Sequence, residues 1–314
     1  MGIALAVRTG ARAAEELAAW SRAALDVPLA MPELWVHEVS TPARVLGAFE
    51  RGPGVGEGPL VRRGSGGPMV LVGPGTVHVA LLLAHPSQLV ACEPGKLVNR
   101  YVRPLLRALT RVGATAHYFG RDWVSVMQRP AAWVGFAHDA GSRRTLIEAF
   151  VPVSAPFATH PRASFLGKEP GTLEGIVGKS ISTGKVIDTV VDAFAAAYGC
   201  DPASAAAMPA PREDSDPDPS GDPPWSATAE EIIGTLGAGP DRHGALRLGG
   251  ALLASRDAVS EVETRASAIG PDEGELGRMV DAVFRAPGVA LDGVRSLHTV
   301  RNVLREALSK RGPG

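Results

Sequence analysis

The stretch LVRRGSGGPMVLV, residues 60–72, decides the fold of this chain. Runs of Val and Leu on both sides of a glycine-rich turn are typical of two strands joined by a loop. Glycines let a backbone approach a phosphate closely and expose its N–H groups, and arginine offers forked donors to phosphate or carboxylate. The stretch therefore predicts an anion-binding loop, with a glycine hairpin carrying solvated arginines as the alternative.

This loop differs from the common nucleotide-binding loops. It lacks the Gly-Lys-Ser/Thr of a Walker loop, and a strand rather than a helix follows it, unlike in a dinucleotide fingerprint. A second chemical candidate is His138-Asp139, which could act as a base and its orienting carboxylate. The alternative for that pair is a polar turn.

Signals outward from the loop predict an α/β (α+β) fold with a central mixed or antiparallel sheet flanked by helices. The clearest helix is 182–199, with a Ser182 cap, an apolar stripe and a closing Gly199. The Ala-rich start of the chain, 3–25, is also predicted as a helix. The other segments are strand-like at 58–86, 123–127, 131–138 and 145–153, and helical at 97–113.

Composition divides the chain into three parts. Residues 1–200 form the predicted catalytic domain. Residues 201–224 run into PAPREDSDPDPSGDPP, which cannot bury a core and predicts a flexible linker. Residues 225–314 then predict a small α+β accessory domain, with a strand-like segment at 244–255 followed by three helix candidates.

Charge and apolar content exclude several classes of protein. The 32 basic and 33 acidic residues leave a net charge of −1, which argues against nucleic acid or an anionic membrane as partners. No apolar run is long enough for a membrane span or a signal peptide. Cys92 and Cys200 lie far apart, and the histidines show no metal-ligand spacing. We therefore expect a cytoplasmic protein without a metal site.

Several of these segments, in this order, resemble the lipoate–protein ligases of the biotin and lipoate ligase superfamily. The family's Arg-Arg-x-Ser-Gly-Gly-Gly-Ala-Val-Phe-His loop is matched by Arg62, Arg63, Ser65, Gly66, Gly67 and Val70. Its Gly-Arg-Asn-Asp element is matched at Gly120 and Arg121. Its Lys-x-Ser-Gly-x-Ala element is matched at Gly135 and Ala137.

The resemblance implies that the chain attaches lipoate, or a similar acyl group, to a lysine of a lipoyl carrier domain through an acyl-adenylate. It implies ATP with Mg²⁺ as cofactor, and lipoate or lipoyl-AMP as substrate or intermediate. The implied acyl tunnel wall contains Arg121 and Gly135. The implied nucleotide-binding residues are Arg62, Arg63, Ser65, Gly66, Gly67, Pro68, Met69, Val70 and Leu71.

The sequence departs from the family at the position of its catalytic lysine, which is Ala132 here. Losing one charged donor of this kind typically costs on the order of 10² to 10³ in rate. Arg129 and Arg143, or Arg144 beside it, are candidates to supply the missing charge. The third loop glycine is Pro68, and the loop histidine is Val72.

Three functions follow from the match and its departures. The first is an ATP-dependent ligase. The second is a degenerate ligase, a possible pseudoenzyme, that binds an acyl group, an adenylate or a carrier domain without catalysis. The third, an octanoyl transferase, is the weakest, because its cysteine nucleophile has no counterpart between Cys92 and Cys200.

Overall fold

The computed structural model describes residues 4–52, 58–158, 162–204 and 222–310. Its helices are α1 (Ala14–Ala23), α2 (Leu97–Tyr101), α3 (Arg103–Arg111), α4 (Leu173–Val177), α5 (Thr183–Tyr198), α6 (Arg256–Ile269), α7 (Glu273–Phe284) and α8 (Leu297–Lys310). Its strands are β1 (Ala4–Arg12), β2 (Glu33–Val39), β3 (Ala43–Leu46), β4 (Leu60–Arg62), β5 (Val70–Val72), β6 (Thr76–Leu83), β7 (Ala116–Tyr118), β8 (Trp123–Val126), β9 (Arg129–His138), β10 (Thr145–Pro152), β11 (Asp201–Ser204), β12 (Ala227–Glu230), β13 (Thr235–Pro240), β14 (Leu246–Gly250), β15 (Leu253–Ala254) and β16 (Leu291–Asp292).

The centre of the fold is an eight-stranded mixed sheet in the order β11-β1-β2-β6-β10-β9-β8-β7. The β11–β1 and β1–β2 pairs are parallel, and the remaining pairs are antiparallel. A smaller sheet in the order β4-β3-β5 carries the glycine-rich loop between β4 and β5. These sheets and their flanking helices confirm the predicted fold class.

The two faces of the sheet bury different side chains, as strand β9 shows. Successive side chains of a strand point to opposite faces. Ala132, Val134 and Phe136 belong to the core that also contains residues of α2, α3 and α5. Trp133 and Ala137 belong to the core that contains residues of α1 and of the small β4-β3-β5 sheet. The loop therefore lies over the Trp133 face of β9.

The start of the chain differs from the predicted helix over 3–25. Residues Ala4–Arg12 form β1, paired with β2 and β11, and the helix α1 begins only at Ala14. Alanine has the highest intrinsic helix propensity, but propensity is a weak term that tertiary pairing overrides. Here two parallel neighbours supply the backbone hydrogen bonds of β1, so the strand prevails.

The linker predicted over 201–224 overlaps a strand at its start. Residues 201–204 form β11 at the edge of the large sheet, whereas 205–221 lie outside the described residues. The linker prediction therefore applies only to the residues beyond Ser204.

The C-terminal residues build their own core. The antiparallel sheet β12-β13-β14 packs with α6, α7 and α8, and its buried side chains include Leu248, Val262, Val280 and Leu304. The β15–β16 pair instead lies beside β9, where Leu253 and Ala290 join the core of the large sheet. Within the described ranges, no helix has the length and apolar content to cross a bilayer.

The hairpin between β8 and β9 has a strained turn. Val126 pairs with Arg129, and the two residues between them, Met127 and Gln128, have φ angles of 46° and 63°. Two-residue hairpin turns with positive φ at both positions favour Asn-Gly, because other side chains are crowded there.

We predict that replacing Met127-Gln128 by Asn-Gly raises the free energy of unfolding by about 1 kcal/mol, measured by urea denaturation. Met127→Leu keeps the strain and serves as the control, with an unchanged midpoint. A lower midpoint for the Asn-Gly variant would show that this turn is not strained.

Candidate functional site

The side chain of Arg63 is completely buried under the glycine-rich loop. Its Nε donates to Ser65 Oγ at 3.0 Å and its Nη1 to the Val45 carbonyl at 2.9 Å. Its Nη2 donates to the carbonyls of Gly66 and Pro68, at 2.7 and 2.9 Å. Most of the five N–H donors of this guanidinium are therefore already used by its own chain.

The charge of Arg63 is held between an aromatic ring and carboxylates. Its Cζ lies 3.9 Å from the centroid of the Trp133 ring, within the range of a cation–π contact. Burial lowers the pKa of Arg63 to about 10, and Glu148 and Glu50 oppose that shift. The group remains a cation at neutral pH, but one that faces the protein interior.

A buried network under the loop centres on the Glu148 carboxylate. Glu148 accepts hydrogen bonds from Ser65 Oγ and from Ser21 Oγ, the latter at 3.1 Å, and lies 2.7 Å from His78 Nε2. Burial raises the pKa of Glu148, but the His78 hydrogen bond, His78 charge and Arg63 charge outweigh it and hold the pKa below its ordinary value. The network ties the loop to α1, β6 and β10.

Two strands outside the loop motif carry a sequence signal for this network. Glu148 and His78 are the single ionisable residues of two largely apolar strands, TLIEAFVP and TVHVALLL. Buried strands rarely contain an ionisable residue unless it is paired. A lone carboxylate and a lone imidazole in two buried strands therefore indicate a contact between those strands.

The backbone N–H groups at the loop tip are also engaged. Gly66 donates to the Phe136 carbonyl at 3.1 Å, and Gly67 donates to the Leu252 carbonyl at 2.8 Å. A Cβ at Gly66 would lie 2.0 Å from that Leu252 oxygen, so only glycine fits at position 66. The Leu252 carbonyl oxygen thus occupies a backbone donor of the loop that the resemblance assigns to nucleotide binding.

The predicted acyl wall at Gly135 is filled by side chains. A Cβ there would lie 2.5 Å from Trp133 Cζ2 and 3.1 Å from Leu253 Cδ2. On this face of β9 the space is taken by an indole ring and a leucine. The side chains around Gly135 thus take the place that the resemblance gives to an acyl wall.

Asp122 is a buried residue of this region that is absent from the predicted site. It follows Arg121 and is fully buried, with Ser164 and Arg162 as polar neighbours of its carboxylate. Its Oδ2 lies 4.0 Å from Arg162 Nη1. Burial raises the pKa of Asp122 to about 6, and the Arg162 charge opposes that shift.

The candidates for the missing lysine charge lie away from the loop donors. Ala132 is fully buried in the core of the large sheet. Arg129 donates to the carbonyls of Glu169 and Pro170, and Arg143 occupies an exposed turn with φ 63°. Arg144 donates to the Leu25 carbonyl at 2.7 Å. None of these contacts places a guanidinium at the loop tip.

His138 and Asp139 have separate partners. His138 lies 3.0 Å from the Gly288 carbonyl through Nε2 and 2.9 Å from Thr145 Oγ1 through Nδ1. The Asp139 carboxylate accepts from the Ser142 N–H at 2.7 Å. These contacts fix a turn against the C-terminal residues, which matches the polar-turn alternative. The described residues contain no group of three or more His, Cys, Asp or Glu side chains that could hold a metal.

Solved structures of lipoate protein ligases have a fold similar to this one. The bi-partite lipoate protein ligase of Thermoplasma acidophilum, described with its E2 lipoyl domain, superposes with a TM-score of 0.53 at 13% identity, covering 66% of this chain and 88% of that one. LipL1 of P. falciparum, in complex with lipoate, has a TM-score of 0.62 at 11% identity, covering 96% and 99%. A T. acidophilum putative lipoate protein ligase with bound lipoic acid gives 0.52 at 12%, covering 66% and 90%.

These likenesses, all at low identity, show the fold. No protein-family model and no curated protein sequence matches the chain. The matched structures therefore confirm the architecture that the resemblance implied, and the residue roles remain predictions.

We predict that the buried Asp122 carboxylate lowers the free energy of unfolding in a pH-dependent way. Because its pKa in the fold is raised from 3.8 to about 6, the folded state binds the extra proton, and the free energy of unfolding falls as pH rises through this window. Asp122→Asn should remove that loss and stabilise the protein by about 2–3 kcal/mol at pH 8, with little effect at pH 4.

Denaturant titrations at both pH values test this expectation. Asp188→Asn, an exposed position on α5, is the matched control, and its effect should stay within about 0.5 kcal/mol. Equal stabilisation by Asp122→Asn at pH 4 and pH 8 would contradict the proton-linked explanation.

Proposed function

We propose that this protein is a degenerate member of the lipoate-ligase fold class, which binds an acyl group and a lipoyl carrier domain without forming the acyl-adenylate. The observation that carries this proposal is the internal use of the loop donors: most N–H groups of Arg63, and the backbone N–H groups of Gly66 and Gly67, have partners within the chain. The fold, shared with structures described with lipoate and with an E2 lipoyl domain, supports the choice of ligand and partner.

Adenylation needs positive charge and free N–H donors where the phosphates are held. Position 132 offers a buried methyl group, and the guanidinium of Arg63 is surrounded by carbonyls and the Trp133 ring. A nucleotide could reach Gly66 and Gly67 only after Leu252 had withdrawn its carbonyl oxygen. The missing charge at position 132 and the covered loop both disfavour formation of an acyl-adenylate from ATP.

The second candidate is a catalytic ligase that attaches lipoate to a carrier lysine with ATP and Mg²⁺. One observation favours it: Arg62, Arg63, Ser65, Gly66 and Gly67 occupy the β4–β5 loop in the order that the family uses. This candidate requires the Leu252–Leu253 segment to leave the loop.

A carrier assay separates the two candidates. Purified lipoyl carrier domain, lipoate and Mg-ATP are incubated with the protein, and carrier mass and pyrophosphate release are measured. We expect no mass gain and no pyrophosphate release, while NMR titration of the carrier domain shows binding. A lipoate–protein ligase run in parallel is the positive control. Carrier lipoylation within about tenfold of that control would overturn the proposal of a degenerate ligase.

Ala132→Lys tests the missing charge directly. Because Ala132 is fully buried in the core, a lysine there must overpack its neighbours and lose its hydration. We predict that the variant loses at least about 3 kcal/mol of unfolding free energy and gains no ligase activity. Gln128→Lys, in the exposed turn of the same hairpin, is the control and should retain wild-type stability. A stable Ala132→Lys variant with raised adenylation would show that the cleft reaches this position.

A further inference from the structure

One face of the α2–α3 segment carries exposed arginines spaced by three, four and four residues. They are Arg100, Arg103, Arg107 and Arg111, which we call the arginine row. Val102 continues the helical hydrogen bonding between α2 and α3, since its N–H donates to the Val98 carbonyl and its carbonyl accepts from the Leu106 N–H. The four positions therefore fall within about 80° of the circumference of one helix and extend over about 16 Å.

The arginine row is not balanced by acidic residues. Between Glu93 and Asp122 the chain contains no Asp or Glu. In the described part of the chain, no carboxylate lies within 4 Å of a guanidinium of the row. On α6, by contrast, Arg265 pairs with Glu261 one turn away. The row therefore concentrates positive charge on one surface of a chain whose net charge is −1.

Packing of the protein does not require the row. The opposite side of the same helices enters the core through buried side chains such as Tyr101, Leu105 and Leu109. Like charges three or four residues apart on a helix surface repel each other. Lys179 adds another cation at the end of α3, because a Cβ at Gly113 would lie 2.7 Å from its ammonium nitrogen. An anionic partner on this face would relieve the repulsion.

The surroundings of the row favour a protein surface over a nucleic acid or a membrane. Between Arg100 and Arg111 the only other exposed side chain is Thr110. The face thus offers no exposed aromatic ring on which bases could stack and no apolar side chain that could enter a bilayer. The negative charge on the rest of the chain also disfavours an extended polyanion, whereas a contact limited to the row avoids that charge.

We propose that the arginine row docks an acidic helix on the surface of a partner protein, whose carboxylates follow the same spacing. The planar guanidinium fork binds a carboxylate through two parallel hydrogen bonds, which suits arginine better than lysine for this contact. Because about 16 Å of one helix is less than a standard-size interface, the contact is driven by charge and sensitive to salt. The inference does not depend on the proposed function, since α2 and α3 pack on the face of β9 opposite the glycine-rich loop.

The probe is a fluorescent, alanine-based helical peptide with four glutamates at the spacing of the row, titrated into the full-length protein at low salt. We expect it to bind at least about fivefold more tightly than a peptide of the same composition whose glutamates are scattered around the helix. Arg103→Gln and Arg107→Gln should each weaken its binding by about two- to fivefold. Arg278→Gln, at an exposed arginine of α7, is the matched control and should leave the affinity unchanged.

A charge swap separates docking from folding. Arg103→Glu together with Arg107→Glu should weaken binding of the glutamate peptide at least about tenfold. The same double variant should gain affinity for a peptide with lysines in place of the glutamates, while its circular dichroism spectrum stays that of the wild type.

Three outcomes would overturn the inference. The first is equal binding of the two glutamate peptides, and the second is a charge swap that does not transfer the preference to the lysine peptide. The third is another occupant of the row, which the double variant detects because it removes the binding. That occupant would be an oligothymidylate or phosphatidylserine vesicles bound more tightly than the peptide at about 0.15 M salt, or a second copy of this chain revealed by sedimentation.

Discussion

The rest of the loop region depends on the burial of the Arg63 guanidinium. Removing such a group from water costs several kcal/mol, so it is stable only where hydrogen bonds and nearby charge replace its hydration. Here the carbonyls of Val45, Gly66 and Pro68 replace that hydration, together with Ser65 Oγ and the Trp133 ring. Without the guanidinium these buried oxygens would lose their donors, and the loop would lose its shape.

The donors that would suit a phosphate can also bind oxygen atoms of the protein's own chain. Forked guanidinium donors and glycine N–H groups bind any well-placed oxygen, whether it belongs to a phosphate or to a peptide. In this chain Gly67 binds the Leu252 oxygen, and Gly66 must lack a side chain because that oxygen lies so close. A glycine-rich motif therefore indicates close backbone approach, but the identity of the approaching group comes from the tertiary structure.

This distinction sets how much could be predicted from the sequence. Apolar runs with glycine and proline punctuation predicted β6, β8, β9 and β10 of the central sheet, because those signals are local. The Ser182 cap and the apolar stripe predicted α5 in the same way. The Ala-rich start was predicted as a helix, and β1 formed because β2 and β11 lie on either side of it. The lone Glu148 and His78 indicate that their two strands are in contact, but contacts of the loop with distant residues, such as Gly67 with Leu252, have no local signal. The residues of the loop could thus be named in advance, whereas their partners could not.

The alternation of side chains along β9 determines which face of the sheet is filled. A large side chain at Trp133 covers Gly135 two residues later, because both point to the same face. That face then closes with Leu253, and the arginine beneath the loop stacks on the same ring. Closing one face does not affect the other, since alternate residues of the strand line each face independently. Strand β9 therefore separates a loop face that Trp133 and Leu253 fill from the core of the large sheet, to which Phe136 belongs on the opposite face.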